Sequence, residues 1–258
     1  MKGYYRLLNT ELQSMMWGLL FLCGLGVGIQ LLLLQLTVSS MSRETALMRF
    51  EELYAASGSV VAFAMLLILL MGLFALNLYG NYWGSKSIYT LLTLPIRASA
   101  VYWSKLTAYA VALMLFVVSY VLGMRLGYSL VQGAIQRYSS EDWTWAGGWL
   151  MAVIRSSFLR LLLPMTWEGV LSSVSLALVL LSGLFYVLLC ERSRRFGGLP
   201  LLLPALFFFV REIRVRTSDP FYGEIGFSRV YLGSLVLLGL AVLFIILGSR
   251  LVRRRAIA

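Results

Sequence analysis

The chain has 258 residues, 60% hydrophobic and 13% charged, with 22 basic and 11 acidic side chains, no histidine and a mean hydropathy of +0.85. Globular domains are about 45–50% apolar and about 25% charged, so this composition excludes a water-soluble domain and calls for membrane spans of about 20 apolar residues each. The lack of histidine excludes a His-carboxylate zinc site, an HExxH helix, a Ser-His-Asp triad and a Cys-His pair.

No phosphate-binding G-x-x-x-x-G-K-[ST] run and no G-x-G-x-x-G opening a helix after a strand occurs. Cys23 and Cys190 sit in or at the end of apolar runs, where a thiol behaves as a small hydrophobe. The expectation is a chain with no metal site, no catalytic group and no cofactor of its own.

At the N-terminus, Tyr4, Tyr5, Leu8, Leu12 and Met15 recur at helical spacing opposite Lys2, Arg6, Asn9 and Gln13. That pattern predicts a short helix over 1–15 lying in the membrane interface. Six stretches free of Asp, Glu, Lys and Arg follow, at 16–38, 58–80, 106–124, 169–190, 196–210 and 230–249. Five are long enough to cross about 30 Å of hydrocarbon. The stretch 196–210 is short and carries Pro200 and Pro204, so it either relies on Arg195 and Arg211 snorkelling at its ends or is a broken segment among other helices. The stretch 147–163 holds Arg155 and Arg160 on different sides of a helical wheel and is expected to be interfacial or partly inserted. Trp143, Trp145, Trp149 and Trp167 nearby suit headgroup depth. The fold class is therefore all-α: a polytopic membrane domain of six transmembrane helices with an N-terminal interfacial helix.

The charges assign the sides. Segments 1–15, 81–105, 191–195 and 250–258 hold twelve basic and two acidic residues, whereas 39–57, 125–168 and 211–229 hold ten basic and nine acidic. Basic clusters next to spans favour the cytoplasm, which places both termini inside. The excess of +11 is then topological and requires no nucleic acid.

No apolar stretch contains an ionisable side chain, so a proton relay is not expected. The polar residues in the stretches, Gln30, Gln35, Asn77, Ser119, Ser172, Ser173, Ser175 and Ser182 with Tyr79 and Tyr120 near them, are expected to bond helices together, and Gln30, Gln35, Asn77, Ser119 and Tyr120 are the candidates to line a translocation path.

Between spans two and three, Ile88, Leu91, Leu92 and Pro95 give one apolar face at i, i+3, i+4, i+7 spacing. A short cytoplasmic helix halted near Pro95 would lie on the membrane or dock into a groove of another protein. The run Tyr89-Thr90-Leu91-Leu92-Thr93-Leu94-Pro95-Ile96-Arg97, with Lys105 eight residues on, resembles the cytoplasmic motif of ABC-2 type permeases, the transmembrane subunits of ABC exporters. Lys86 and Ser87 stand where that family often has Gly-Thr, and Tyr89 falls at its usual acidic position.

The resemblance implies that 81–105 is a coupling segment seated in a cleft of a separate ATPase subunit, which would hold ATP and Mg. Its contact set would be Ile88, Thr90, Leu91, Leu94, Pro95, Ile96 and Arg97, with Lys86 and Arg97 meeting acids on the rim. It further implies a second permease copy or relative, a bacterial inner (plasma) membrane location, and re-entrant helices over 211–229, for which an ordinary loop is the alternative. The competing expectation for the whole chain is a non-transporting membrane protein of assembly, sensory or immunity type.

Overall fold

Hydrocarbon supplies no hydrogen-bond partner, so long apolar runs must satisfy their own backbone as helices. The computed structural model, which describes residues 2–40, 49–83, 98–135, 148–193, 200–218 and 227–253, meets that demand without a strand among those residues. Its helices are α1 (Lys2–Ser39), α2 (Phe50–Ala56), α3 (Ser59–Trp83), α4 (Ala98–Ile135), α5 (Gly148–Arg155), α6 (Ser157–Leu162), α7 (Trp167–Ser193), α8 (Leu202–Ser218) and α9 (Phe227–Arg253). Within these, five segments are long and apolar enough to cross a membrane: Tyr4–Ser39, Ser59–Gly80, Ala100–Ala134, Trp167–Ser193 and Tyr231–Val252.

The helices run past the expected boundaries. Residues 2–15 do not form a separate interfacial helix but the first turns of α1, continuous with the span expected at 16–38. The span expected at 106–124 is the middle of the 38-residue α4. The short stretch expected at 196–210 is replaced by the 17-residue α8, which extends through Arg211, Glu212, Arg214 and Arg216 and is not among the five spanning candidates. Pro204 falls in the first turn of α8, where a missing N–H breaks no intrahelical bond. Residues 211–218 and 227–229 are thus helical, in α8 and α9, and residues 219–226 of the expected re-entrant segment lie outside the described residues.

Packing follows from a few close approaches. Glu11 meets Lys105, Gly26 meets Tyr120, Gln30 meets Gly123 and Leu34 meets Gly127, pairs that advance together, so α1 and α4 run parallel. Glycines allow this proximity. A Cβ on Gly123 would lie 2.3 Å from Gln30 Oε1 and 3.2 Å from Val27 Cα, and one on Gly127 would lie 2.4 Å from Leu34 Cδ1. Small residues spaced by four are the usual device for bringing membrane helices together. Helix α3 runs antiparallel to both partners: Asn77 lies by Glu11, Leu73 by Gly18, and Leu66 by Gly26, while Phe74 stacks on Tyr109 and Phe63 on Phe116. Helices α7, α8 and α9 form a second set around Leu176, Val179, Tyr186, Ala205, Leu237, Ala241 and Phe244. The opposite face of α7 (Leu181, Phe185, Leu188, Leu189) joins the core of the first set.

Contacts between helix ends define two ends of the bundle. At the basal end Glu11, Asn77, Lys105, Glu191 and Gly248 gather, and at the distal end Gln30, Tyr54, Ser59, Gly123 and Phe158 do. The start of α1 and the end of α9 both lie basally. Outside the bundle, Trp17, Ile68, Leu76 and Leu203 are each more than 70% exposed, apolar surface suited to lipid rather than water.

Gly123→Val should overpack the α1–α4 contact and cost about 1–3 kcal/mol, lowering the melting temperature in detergent by roughly 2–4 °C per kcal/mol. Gly28→Ala, whose Cβ would meet nothing within 4 Å, should lower it not at all.

Candidate functional site

The basal end carries a buried ion pair. Helical spacing puts Glu11 on the stripe Leu7, Glu11, Met15, Leu19 that faces the bundle, and Lys105 lies one turn into the apolar part of α4. Lys105 Nζ is 2.6 Å from Glu11 Oε1, with the two side chains 3% and 8% exposed. Asn77 Nδ2 donates to Glu11 Oε2 at 3.4 Å, and the Ser14 hydroxyl is 3.1 Å from Asn77 Oδ1. The Tyr4 and Thr107 hydroxyls lie 2.8 Å apart, so the first turns of α1 lean across the foot of α4. Tyr79, near the end of α3, donates its hydroxyl to Glu191 near the end of α7.

A second polar cluster lies towards the distal end of α7, α8 and α9. Glu212 Oε1 accepts from the Ser172 hydroxyl at 2.8 Å and the Ser234 hydroxyl at 3.1 Å. Arg216, one turn further along α8, donates to Ser173 Oγ at 2.7 Å, Ser172 Oγ at 3.4 Å and the Arg160 carbonyl at 2.5 Å. Glu212 and Arg216 are 3% and 4% exposed. The expectation that no span holds an acidic or basic side chain is therefore corrected at Glu11 and Lys105, and α8, which is not a spanning candidate, buries Glu212 and Arg216 as well. Each side chain lies where a helix continues past a charge that had marked its expected end.

The third cluster is aromatic. Gln30 Nε2 donates to the Tyr54 hydroxyl, and the Tyr120 hydroxyl donates to the Ser59 carbonyl at 2.5 Å. Phe50, Phe63, Tyr128, Trp149 and Phe158 surround them, with Phe63 and Tyr120 rings 4.8 Å apart and Phe63 and Phe158 5.2 Å apart. Burial, helped by the neighbouring Tyr120, pushes the Tyr54 phenol far above its ordinary value, so it remains a neutral hydroxyl across the physiological range. Arg125 sits 5.9 and 5.8 Å from the ring centroids of Tyr128 and Trp149, a cation–π arrangement.

Of the polar residues expected inside the spans, Gln30 and Tyr120 converge on the aromatic cluster. Asn77 belongs to the basal ion pair, Ser119 bonds the Phe116 carbonyl of its own helix, and Gln35 is exposed. These five residues do not share one lining. Trp149 joins the aromatic cluster and Trp167 stands 86% exposed at the start of α7, whereas Trp143 and Trp145 lie outside the described residues. The 147–163 stretch is two short helices, α5 and α6, separated at Ser156, whose hydroxyl caps α6 by accepting from the Leu159 N–H at 3.3 Å. Lys86, Ile88, Thr90, Leu91, Leu94, Pro95, Ile96 and Arg97, the expected coupling contacts, lie outside the described residues.

No protein-family model, curated protein or solved structure matches the chain.

Removing one partner of a buried ion pair leaves an uncompensated charge and costs about 3–5 kcal/mol, whereas replacing both by apolar groups is often neutral. Lys105→Met should therefore destabilise the chain by that amount in detergent unfolding, and Glu11→Leu with Lys105→Met should recover most of the loss. A double variant as unstable as the single would show that the pair contributes nothing beyond Lys105 packing.

Proposed function

We propose that the chain is the permease subunit of an ATP-driven transporter of the ABC type, working as an exporter in the inner (plasma) membrane of a bacterial cell. One arrangement carries this reading: α3 ends and α4 begins at the basal end, so the segment resembling the coupling motif is bracketed by the end of the bundle that also holds the start of α1 and the ends of α7 and α9. Arg6, Arg192 and Arg250 lie at that end, and the sequence segments assigned to it hold twelve basic against two acidic residues, which supports a cytoplasmic placing. The segment 81–105 would then face a soluble partner.

The five spanning candidates α1, α3, α4, α7 and α9, with the shorter α8 between the last two, run alternately between the two ends, which supports a permease whose termini share one side. With no nucleotide loop and no histidine in the sequence, the energy would come from two ATPase subunits that hold ATP and Mg. A second permease, identical or related, would complete the path, and closure of the ATPases would rock the bundle through the coupling segment.

Affinity purification of the tagged chain from its native membrane is expected to bring an ATPase subunit with it, and its absence would overturn the proposal. Leu91→Asp with Leu94→Asp should abolish that association while leaving the chain folded. In a chain whose two cysteines are replaced by alanine, a cysteine at Ser87 should react with an impermeant maleimide only from the cytoplasmic side and one at Thr217 only from the other. The reverse pattern would invert the assigned orientation.

A further inference from the structure

Helix α4 turns one apolar stripe outward. Val111, Leu115, Val118 and Leu122, spaced alternately four and three residues apart, are exposed, and the same phase continues to Arg125, which is exposed as well. Arg125 is where this lipid-facing surface ends. Between Lys105 and Arg125 the helix carries no charged side chain, and at 1.5 Å per residue that interval rises about 30 Å, close to the thickness of the hydrocarbon layer. Lys105 belongs to the basal polar level, so Arg125 stands at the opposite, distal boundary, the depth of lipid phosphates.

Aromatic rings hold the guanidinium there. Phe50 meets Tyr128 and Trp149 edge to face at centroid distances of 5.1 and 6.4 Å, and Tyr128 meets Trp149 at 5.7 Å. Arg125 Cζ sits over the Tyr128 and Trp149 rings, 5.9 and 5.8 Å from their centroids. Phe50 comes from α2 and Trp149 from α5, so three helices combine to seat one cation. A guanidinium laid over rings keeps its in-plane N–H donors for another acceptor. Among the described residues Arg125 has no ion pair and donates no hydrogen bond, although Glu51 and Glu52 open the neighbouring α2. The buried cations differ in this respect: Lys105 is bonded to Glu11, and Arg216 to Ser173 and the Arg160 carbonyl.

We propose that Arg125, seated on Tyr128 and Trp149, is the headgroup site for one bound glycerophospholipid, whose phosphodiester accepts from the guanidinium and whose acyl chain lies along Leu122, Val118, Leu115 and Val111. Charge and depth select phosphate, which a guanidinium can grip through two parallel N–H···O bonds. The apolar stripe running from the same point towards the membrane centre selects a lipid over a soluble phosphoester. A lipid so placed ties the α2–α4–α5 contact to the distal leaflet. The site requires that α4 cross a membrane and is independent of the permease reading.

The test uses the full chain, delipidated in detergent and titrated with phosphatidylglycerol carrying a photoactivatable diazirine midway along one acyl chain, with the labelled peptides mapped by mass spectrometry. Residues 111–122 should label saturably and ahead of the exposed face of α3 at Ile68 and Leu69, a helix with no basic residue. Arg125→Gln should raise the half-saturating lipid concentration for 111–122 about tenfold, the factor for losing one charge-assisted hydrogen bond, and leave labelling at Ile68 unchanged. Arg125→Lys, which keeps the charge and loses the planar fork, should raise it by a smaller factor. A diacylglycerol with the same photoactivatable chain and no phosphate should label 111–122 no better than Ile68. Saturable labelling by that diacylglycerol would show an apolar groove alone, and displacement of the phospholipid by excess inorganic phosphate would show an anion site alone; either result overturns the proposal, as does an Arg125→Gln titration identical to wild type. The diacylglycerol and phosphate comparisons are made on the unaltered chain and decide the question even where Arg125→Gln does not fold.

Discussion

A polar group inside a bilayer has no water to fall back on, so each one must be answered by another part of the chain. That constraint explains the placing of the clusters. On α1, Glu11 and Gln30 are 19 residues apart, about 28 Å at 1.5 Å per residue, close to the roughly 30 Å thickness of hydrocarbon. The interval between them on the bundle-facing side is Met15, Leu19, Leu22 and Gly26. Polarity is thus kept to two levels, and at each level the partners come from distant parts of the sequence. Glu11 needs Lys105 and Asn77, and Gln30 needs Tyr54. The polar contacts fix which helices meet, and the glycines of α4 fix how closely.

The second set obeys the same rule with other chemistry. Three serines and a backbone carbonyl surround Glu212 and Arg216, and Ser172 serves both, donating to the carboxylate while accepting from the guanidinium. A short helix with four charges in its last eight residues would be a poor membrane segment by itself. Its inward stripe of Ala205, Glu212 and Arg216 is made tolerable by the serines of α7 and α9. Helix α8 therefore depends on its neighbours more than the five apolar helices do.

Much of this is legible in the sequence, and the remainder is hidden for two reasons. Runs of apolar residues located the long helices, and Arg192 and Arg250 lie at the same end of the bundle. Using charged residues as boundaries, however, cut α1 beyond Glu11, α4 at Lys105 and Arg125, and α8 at Arg211, although the helical backbone continues through every one. The signal that could have restored them is phase: Leu7, Glu11 and Met15 recur every four residues, as do Glu212 and Arg216, so each ionisable group falls on an inward stripe. Which group answers it is not a local property. Nothing near Glu11 in sequence announces Lys105, and nothing near Gln30 announces Tyr54. The Gly123 and Gly127 spacing was readable as a close-packing signal, but its partner helix was not.

The parallel pairing of α1 with α4 also has a meaning in time. Glu11 and Lys105 are separated by 94 residues of chain, which a ribosome adding about 5–20 residues per second delivers over roughly 5–20 s. During that interval α1 has been made but its lysine partner has not, and the glycine surface that receives Gln30 and Leu34 comes later still. The first helix of the bundle must therefore wait, with a carboxylate on its inward stripe, until α4 arrives. Its final depth and rotation are set by a helix synthesised third among the long ones, which makes the assembly of this protein depend on the order in which its segments appear.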